Sequence, residues 1–310
     1  MAQKFKQSTL TSPTGAKLNL LVMAPKTKPK AVVQINHGMG EHAARYERFA
    51  QALVKAGYAV TAHDHRGHGH TTAADAPLGV YADGDGFTKV LADVDAVNSH
   101  IRDIHKDAPT VVFGHSMGSV IAANYAMRHP DRIAAWASWN AGLEGGALAA
   151  VFSLILRVQA AVKGRHRVSN IAYKLTFVAW NNTFKPNRTD FDWLSRDEAE
   201  VDAYIADPLC GFDISIGLWQ DLLGAIRFGA GDGNLENLPK DLPVHLLAGG
   251  VDACTENGKH MQHLAQRLQS AGFLDVTLSV LPGTRHESLN ETNRDQTTAD
   301  FIAWLNARFT

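Results

Sequence analysis

Cysteine is scarce, with Cys210 and Cys254 the only two in the chain. Two isolated thiols make no disulfide framework, so a folded chain must rest on its core, and a reducing cytoplasm is the expected setting. Long apolar runs are missing as well. The longest, Ala147 to Leu156, is far short of the ~20 residues that span a bilayer. Neither sign of charge is in excess: 30 Lys and Arg face 31 Asp and Glu, a net of −1. That balance gives no reason to expect nucleic acid or another polyanion as partner. There is no repeat, low-complexity stretch or basic block. The opening Met-Ala-Gln-Lys-Phe-Lys-Gln lacks the apolar heart of a signal peptide, which again points to a cytoplasmic location.

What remains is an ordinary globular composition, 45% hydrophobic and 20% charged, in 310 residues. Such a chain can bury a large core. Phe5 to Leu10 and Lys17 to Val22 read as a ribbon around the Ser12-Pro13-Thr14-Gly15 turn. Strand-like runs then alternate with helical stripes. The strands are Ala31–Asn36, Tyr58–His63, Thr110–Phe113 and Arg132–Trp139. The stripes are Tyr46, Phe49, Ala50, Leu53 and Val54, then Val90, Val94, Val97 and Ile101. This alternation predicts a mostly parallel central sheet flanked by helices, with ligand sites at the carboxyl ends of the strands.

From Gly142 to Gly233 the rhythm stops. Leu148, Val151, Phe152, Ile155 and Leu156 form one apolar stripe, and Ile214, Leu218, Leu222 and Ile226 another. Ser195-x-x-Glu198 has the spacing of a capping box. We read residues 142–233 as a helical cap inserted between strands of a core made by 1–141 and 234–310. Gly142, Gly145, Gly146 and Gly229–Gly233 are candidate hinges. Strands resume at Pro243–Ala248 and Val276–Leu281.

The chemistry centres on Gly114-His115-Ser116-Met117-Gly118, where a strand ends and a helix begins. A serine carried on that sharp turn projects from the sheet at a helix N-terminus, and flanking glycines relieve backbone collisions. A serine hydroxyl is a weak nucleophile, so it needs a base and a group to orient that base. Asp252 and His286 follow late strands, in the order acid then histidine that this arrangement requires. Ser116 is thus the candidate nucleophile, His286 the base and Asp252 its orienter. The glycine-rich His37-Gly38-Met39-Gly40 loop offers the N–H of Met39, which with that of Met117 forms a candidate oxyanion hole.

With these residues in place, the chain resembles the α/β-hydrolases of the monoglyceride lipase and lysophospholipase type, grouped with serine aminopeptidase-like hydrolases. The resemblance rests on His37–His42, Asp64-His-Arg-Gly-His-Gly69, Gly114–Gly118, Asp252 after Gly249-Gly250, Arg285-His286-Glu287 and Asp207-Pro-Leu-Cys-Gly-Phe212. It implies an α/β-hydrolase fold with a helical cap. It also implies a cofactor-free enzyme that cleaves monoacylglycerol, lysophospholipid or short acyl esters. An amidase or aminopeptidase, for which Glu144, Asp190 and Asp192 are candidate amine-binding groups, is the alternative. A non-catalytic binding protein on the same fold is a third. His63, His65, His68 and His70 are read as a structural loop rather than a metal site, and His260 and His263 as a solvated helix face. The Ala147–Val158 stripe is expected to pack on the core or line an acyl pocket, with transient membrane contact as the other reading.

Overall fold

The computed structural model describes residues 3–310. The strands are β1 (Lys6–Thr11), β2 (Lys17–Met23), β3 (Val32–Asn36), β4 (Ala59–His63), β5 (Thr110–His115), β6 (Ala135–Trp139), β7 (Val244–Gly249) and β8 (Val276–Leu281). They form one sheet in the order β1-β2-β4-β3-β5-β6-β7-β8. The β1–β2 and β2–β4 pairs are antiparallel, and every later pair is parallel. The expected mostly parallel sheet is present.

The helices are α1 (Glu47–Lys55), α2 (Gly86–Ile104), α3 (Met117–Arg128), α4 (Ala147–Lys163), α5 (Asn170–Tyr173), α6 (Ala179–Asn182), α7 (Glu198–Ala206), α8 (Ile216–Gly229), α9 (Lys259–Ser270) and α10 (Arg294–Asn306). A π-helical turn, Lys174–Val178, joins α5 to α6. Side chains along a strand alternate faces, and β5 shows the result. Val112 belongs to one buried cluster with Val94, Val120, Leu222 and Leu264 from α2, α3, α8 and α9. Val111 and Phe113 meet Phe49, Trp139 and Phe301 on the opposite face, under α1 and α10. Both faces are thus covered, which is why the inner strands read as continuous apolar runs.

Among the described residues, 142–233 adds no strand to the sheet. Its helices differ in how they sit. Leu218, Leu222 and Leu223 of α8 belong to the main core, whereas the inserted helices around α5 to α7 lie over the carboxyl ends of the strands. Two local expectations change. Asp197, not Ser195, caps α7, accepting from the Ala199 N–H at 3.1 Å. Ser195 is taken instead by the Asn290 carbonyl, to which its hydroxyl donates at 2.8 Å. In α4, only part of the apolar stripe is covered. Leu156 is buried and Phe152 packs on Trp219, but Leu148 and Val162 are 86% and 78% exposed, with Val151, Leu154 and Val158 beside them. An apolar run wider than one helical face cannot all be buried by one neighbour. No described helix is long and apolar enough to cross a membrane.

Candidate active site

The β5–α3 turn is built by steric necessity. Ser116 has φ 55° and ψ −122°, a conformation costly for any residue with a side chain. A Cβ on Gly114 would fall 2.0 Å from the Gly118 carbonyl oxygen, and one on Gly118 would fall 2.0 Å from that of Asn36. The turn is held by the Ser116 N–H, which donates to the Trp139 carbonyl at 2.9 Å. Ser116 therefore stands at the first turn of α3, where free N–H groups and the helix dipole favour negative charge.

Loops after β7 and β8 bring the other two side chains to it. His286 Nε2 lies 2.9 Å from Ser116 Oγ. His286 Nδ1 lies 3.1 Å from both Asp252 carboxylate oxygens. Asp252 is fully buried and also accepts from Asn140 Nδ2 at 3.2 Å, Cys254 N–H at 3.0 Å and Thr255 Oγ1 at 3.1 Å. Burial pushes its carboxyl up, but the charge of His286 and these donors outweigh burial and hold it below the usual range. A carboxylate so fixed can set the imidazole tautomer and stabilise an imidazolium.

The His37–Gly40 loop closes the third side. Gly38 N–H donates to Glu41 Oε1 at 2.6 Å, and His37 Nδ1 donates to the Gly38 carbonyl at 2.7 Å. The cap grips the same loop, since Tyr204 hydroxyl and Gly211 N–H donate to the Gly40 carbonyl at 2.8 and 2.9 Å. The N–H groups of Met39 and Met117 have no partner among the described residues, as donors reserved for a ligand would not.

Behind the loop lies an ion network that sequence reading missed. Arg45 spans Glu41 at 2.7 Å and both oxygens of Glu287 at 2.6 and 2.7 Å. His115 Nε2 donates to the His286 carbonyl at 3.0 Å, and its Nδ1 lies 3.5 Å from Glu41. Burial alone would lower the His115 pKa, but Glu41, Glu287 and the His286 carbonyl raise it. The network ties the loop before α1 to the loop that carries His286. Its one visible trace in sequence is the Glu41/Arg45 spacing.

The histidine-rich loop is structural in its contacts. Asp64 accepts from Ala43 and His70 N–H groups and from Asn19 Nδ2, each at 2.8 Å. His63, His65 and His68 are buried in a cluster with His37, their rings tilted or edge-on to one another. Among the described residues, the set with ligand-like spacing is elsewhere: His42, Asp207 and Cys210, whose donor atoms lie within 4.8 Å of one another. His42 Nε2 and Asp207 Oδ2 already satisfy each other at 2.8 Å. His260 is not a solvated helix residue. It lines the cleft beside Ser116, and a Cβ on Gly142 would fall 2.6 Å from its own Cβ. His263 Nδ1 pairs with Glu144 at 2.9 Å.

Two hollows meet at Ser116. One is an open apolar cleft of ≈ 820 Å³ including its mouth, lined by Met117, Val120, Phe152, Trp219, Leu222 and Ile226. The other is a narrower limb of ≈ 530 Å³ that includes His286, Trp193, Tyr204 and Phe212. Cap aromatics wall both: Phe177 stacks on Trp193, and Trp193 lies against His286 with ring centroids 4.8 Å apart.

The chain matches the family described as serine aminopeptidase, S33, over residues 27–293. It is 30% identical over 270 residues to monoglyceride lipase of Rattus norvegicus, covering 84% of this chain and 77% of the rat protein. To monoacylglycerol lipase of Mycolicibacterium smegmatis it is 29% identical over 300 residues, covering 94% and 93%. Among solved structures it is similar to a highly thermostable carboxyl esterase from Bacillus coagulans in complex with glycerol, with TM-score 0.89, 24% identity and coverage of 98% and 99%.

Proposed function

The chain belongs to the serine aminopeptidase S33 family of α/β-hydrolases, and from that premise we propose that it cleaves carboxylic esters of the monoacylglycerol, lysophospholipid or short acyl type through an acyl-enzyme. At the coarser level it is an α/β-hydrolase of the esterase and lipase type. The observation that carries the finer reading is the continuous Ser116–His286–Asp252 hydrogen-bond chain.

In this reading Ser116 Oγ attacks the ester carbonyl while His286 Nε2 takes its proton. Asp252 holds the imidazolium. The oxyanion forms against the N–H groups of Met39 and Met117, each such donor lowering the barrier by about 3 kcal/mol. Collapse breaks the C–O bond, and His286 returns the proton to the departing alkoxide. Water, deprotonated by His286, then releases the acid and restores Ser116. No step draws on a cofactor. Residues 142–233 serve as a cap over a core of 1–141 and 234–310, and the apolar cleft takes the acyl chain.

The exposed apolar side of α4 gives the cap a surface suited to transient contact with the lipid in which such substrates reside, with Arg157, Lys163 and Arg167 nearby. A cytoplasmic setting fits its two free thiols. An aminopeptidase would need an uncommitted carboxylate near Ser116. Asp192 is engaged by Thr189 and the Arg188 N–H, and Glu144, which reaches the cleft, is paired with His263. Asp190 is exposed and lines neither hollow, which together favours esters over amino-terminal amides.

The test is a chain-length series of glyceryl and p-nitrophenyl esters, run on wild type and Ser116→Ala. Ser116-dependent turnover with a medium- or long-chain optimum is expected. No Ser116-dependent ester cleavage, with faster turnover of amino-acid anilides, would move the assignment to the amidase reading.

A further inference from the structure

Outside both hollows, three unlike donor groups meet where the inserted region touches the loop before α1. His42 ends that loop, and its ring is largely buried. Asp207 and Cys210 follow α7 in the run Asp207-Pro-Leu-Cys210. The Cys210 N–H donates to the Asp207 carbonyl at 3.0 Å, closing a tight turn. Two ligands separated by two residues on such a turn have the spacing of a metal-chelating knuckle. The Leu209 N–H donates to Asp207 Oδ1 at 2.8 Å, which fixes the carboxylate and leaves Oδ2 facing His42 Nε2, also at 2.8 Å. Cys210 is a free thiol, and the donor atoms of all three residues lie within 4.8 Å of one another.

That donor set selects among metals. Calcium and magnesium take oxygen ligands, whereas imidazole nitrogen, thiolate sulfur and carboxylate oxygen together suit zinc. Ligand atoms around tetrahedral zinc stand about 3.3–3.8 Å apart, so shifts of about an ångström would complete the shell. The local charge also favours a cation. Glu41, Asp207 and Glu287 act on Cys210 against one guanidinium, that of Arg45, and Arg45 is already shared by Glu41 and Glu287. The Asp207 side chain is 31% exposed, which leaves an entry path and room for water as a fourth ligand.

We propose that His42, Asp207 and Cys210 form a zinc site that clamps the inserted region to the loop carrying Met39. On binding, His42 coordinates through Nε2 and keeps its proton on Nδ1, while the Cys210 thiol gives its proton to solvent. None of the three residues lines either hollow at Ser116, so the metal is structural rather than catalytic. It reinforces contacts at the same seam, where the Tyr204 hydroxyl and Gly211 N–H donate to the Gly40 carbonyl. The site goes beyond the ester hydrolase reading and needs no turnover to test.

The experiment is equilibrium dialysis of the reduced full chain against Zn²⁺, with Co²⁺ as a spectroscopic probe. Wild type is compared with His42→Gln, Cys210→Ser and Cys254→Ser. One equivalent of zinc per chain and a zinc-dependent rise in Tm are expected. The cobalt form should show a sulfur-to-cobalt band and the intense visible bands of four-coordinate cobalt. Cys210→Ser should abolish the sulfur band. Cys210→Ser and His42→Gln should each weaken zinc binding by at least about tenfold and remove the rise in Tm. Cys254→Ser should change neither. Its cobalt spectrum decides the matter even if the other two variants fail to fold, because Cys210 is then the sole thiol. No retained zinc, or cobalt bound without a sulfur band in Cys254→Ser, would overturn the site. Binding unchanged in folded Cys210→Ser would place the ion among other histidines and also overturn it. Zinc binding with no rise in Tm would overturn the clamp. A chain that binds zinc but cleaves no ester would sink only the hydrolase reading, and the converse would sink only the metal site.

Discussion

Trp193 and His286 are joined twice. Their rings pack with centroids 4.8 Å apart, and the His286 N–H donates to the Trp193 carbonyl at 3.4 Å. The neighbouring Glu287 N–H donates to the Leu194 carbonyl at 2.7 Å. The candidate base is therefore braced by a segment of the inserted region as well as by Asp252, and a disturbance of that segment should reach the reaction centre.

Asp252→Asn should keep the fold but lose activity. The amide fills the same space, yet it no longer favours the Nδ1–H tautomer or stabilises an imidazolium. A fall in kcat of about 10³- to 10⁴-fold is expected, with an unchanged thermal transition. Steady-state kinetics and circular dichroism on the same preparation check it.

Ser116→Gly should stabilise the protein while abolishing turnover. The φ of 55° at Ser116 is strained for serine and free of that strain for glycine. A gain of about 1 kcal/mol, or about 2 °C in Tm, is expected after the entropy cost of glycine. A lower melting temperature would show that the turn stores no strain.

Arg45→Met leaves Glu41 and Glu287 buried and facing one another. Stranding buried charge in this way costs about 3–5 kcal/mol. Urea denaturation should show that loss. Glu41 also holds the Gly38 N–H, so kcat should fall in the variant even at temperatures where it stays folded.

Acid should destabilise the chain at unusually high pH. Burial lowers His63, His68 and His245 from 6.5 to about 3 each, and pushes His65 well down. Between those values the unfolded chain binds protons that the folded one refuses, so stability is full above 6.5 and drops as pH falls. Each such histidine adds about 1.4 kcal/mol per pH unit to the slope. His115 opposes this, since its raised pKa contributes stability below 6.5 that fades as pH rises through the folded value. Urea midpoints between pH 8 and pH 5 should fall on acidification. A flat profile would mean the buried cluster takes up protons without cost.

Changing Leu148, Val151 and Val162 to glutamine together should leave turnover of a water-soluble short-chain ester intact. Sedimentation with phospholipid vesicles and cleavage of vesicle-borne substrate should drop several-fold, because exposed apolar area drives partition to the interface. Unaltered vesicle binding would place that contact elsewhere.

Much of the sheet was legible because buried parallel strands leave apolar runs and their helices leave periodic stripes. Ser116, Asp252 and His286 could be picked from sequence because each follows a strand, and the structure brings all three within hydrogen-bonding reach. Gly114 and Gly118 were legible through the collisions a side chain would cause. Other features had no local signature. Arg45 and Glu287 meet across most of the chain, and nothing near either announces the other. Trp193 sits in an irregular segment, so no period shows which way it faces. An apolar helix such as α4 declares its composition but not how many sides find a neighbour. Gly142 reads as a hinge, and it also lies where a Cβ would fall 2.6 Å from that of His260, a close approach that the sequence does not announce.

Arg267 on α9 donates to the carbonyls of Leu143 and Gly229, at 3.2 and 3.0 Å, and pairs with Asp232 at 2.8 Å. One guanidinium thus holds the points where the chain departs from the sheet and where it comes back. The stretch between them is closed at its base like a cartridge, with α8 sunk in the main core and the segment from α5 to α7 resting on the site loops. That segment, rather than α8, is the part whose length and lining can be exchanged through evolution or by grafting, while the strands, and the serine and histidine they carry, stay in register.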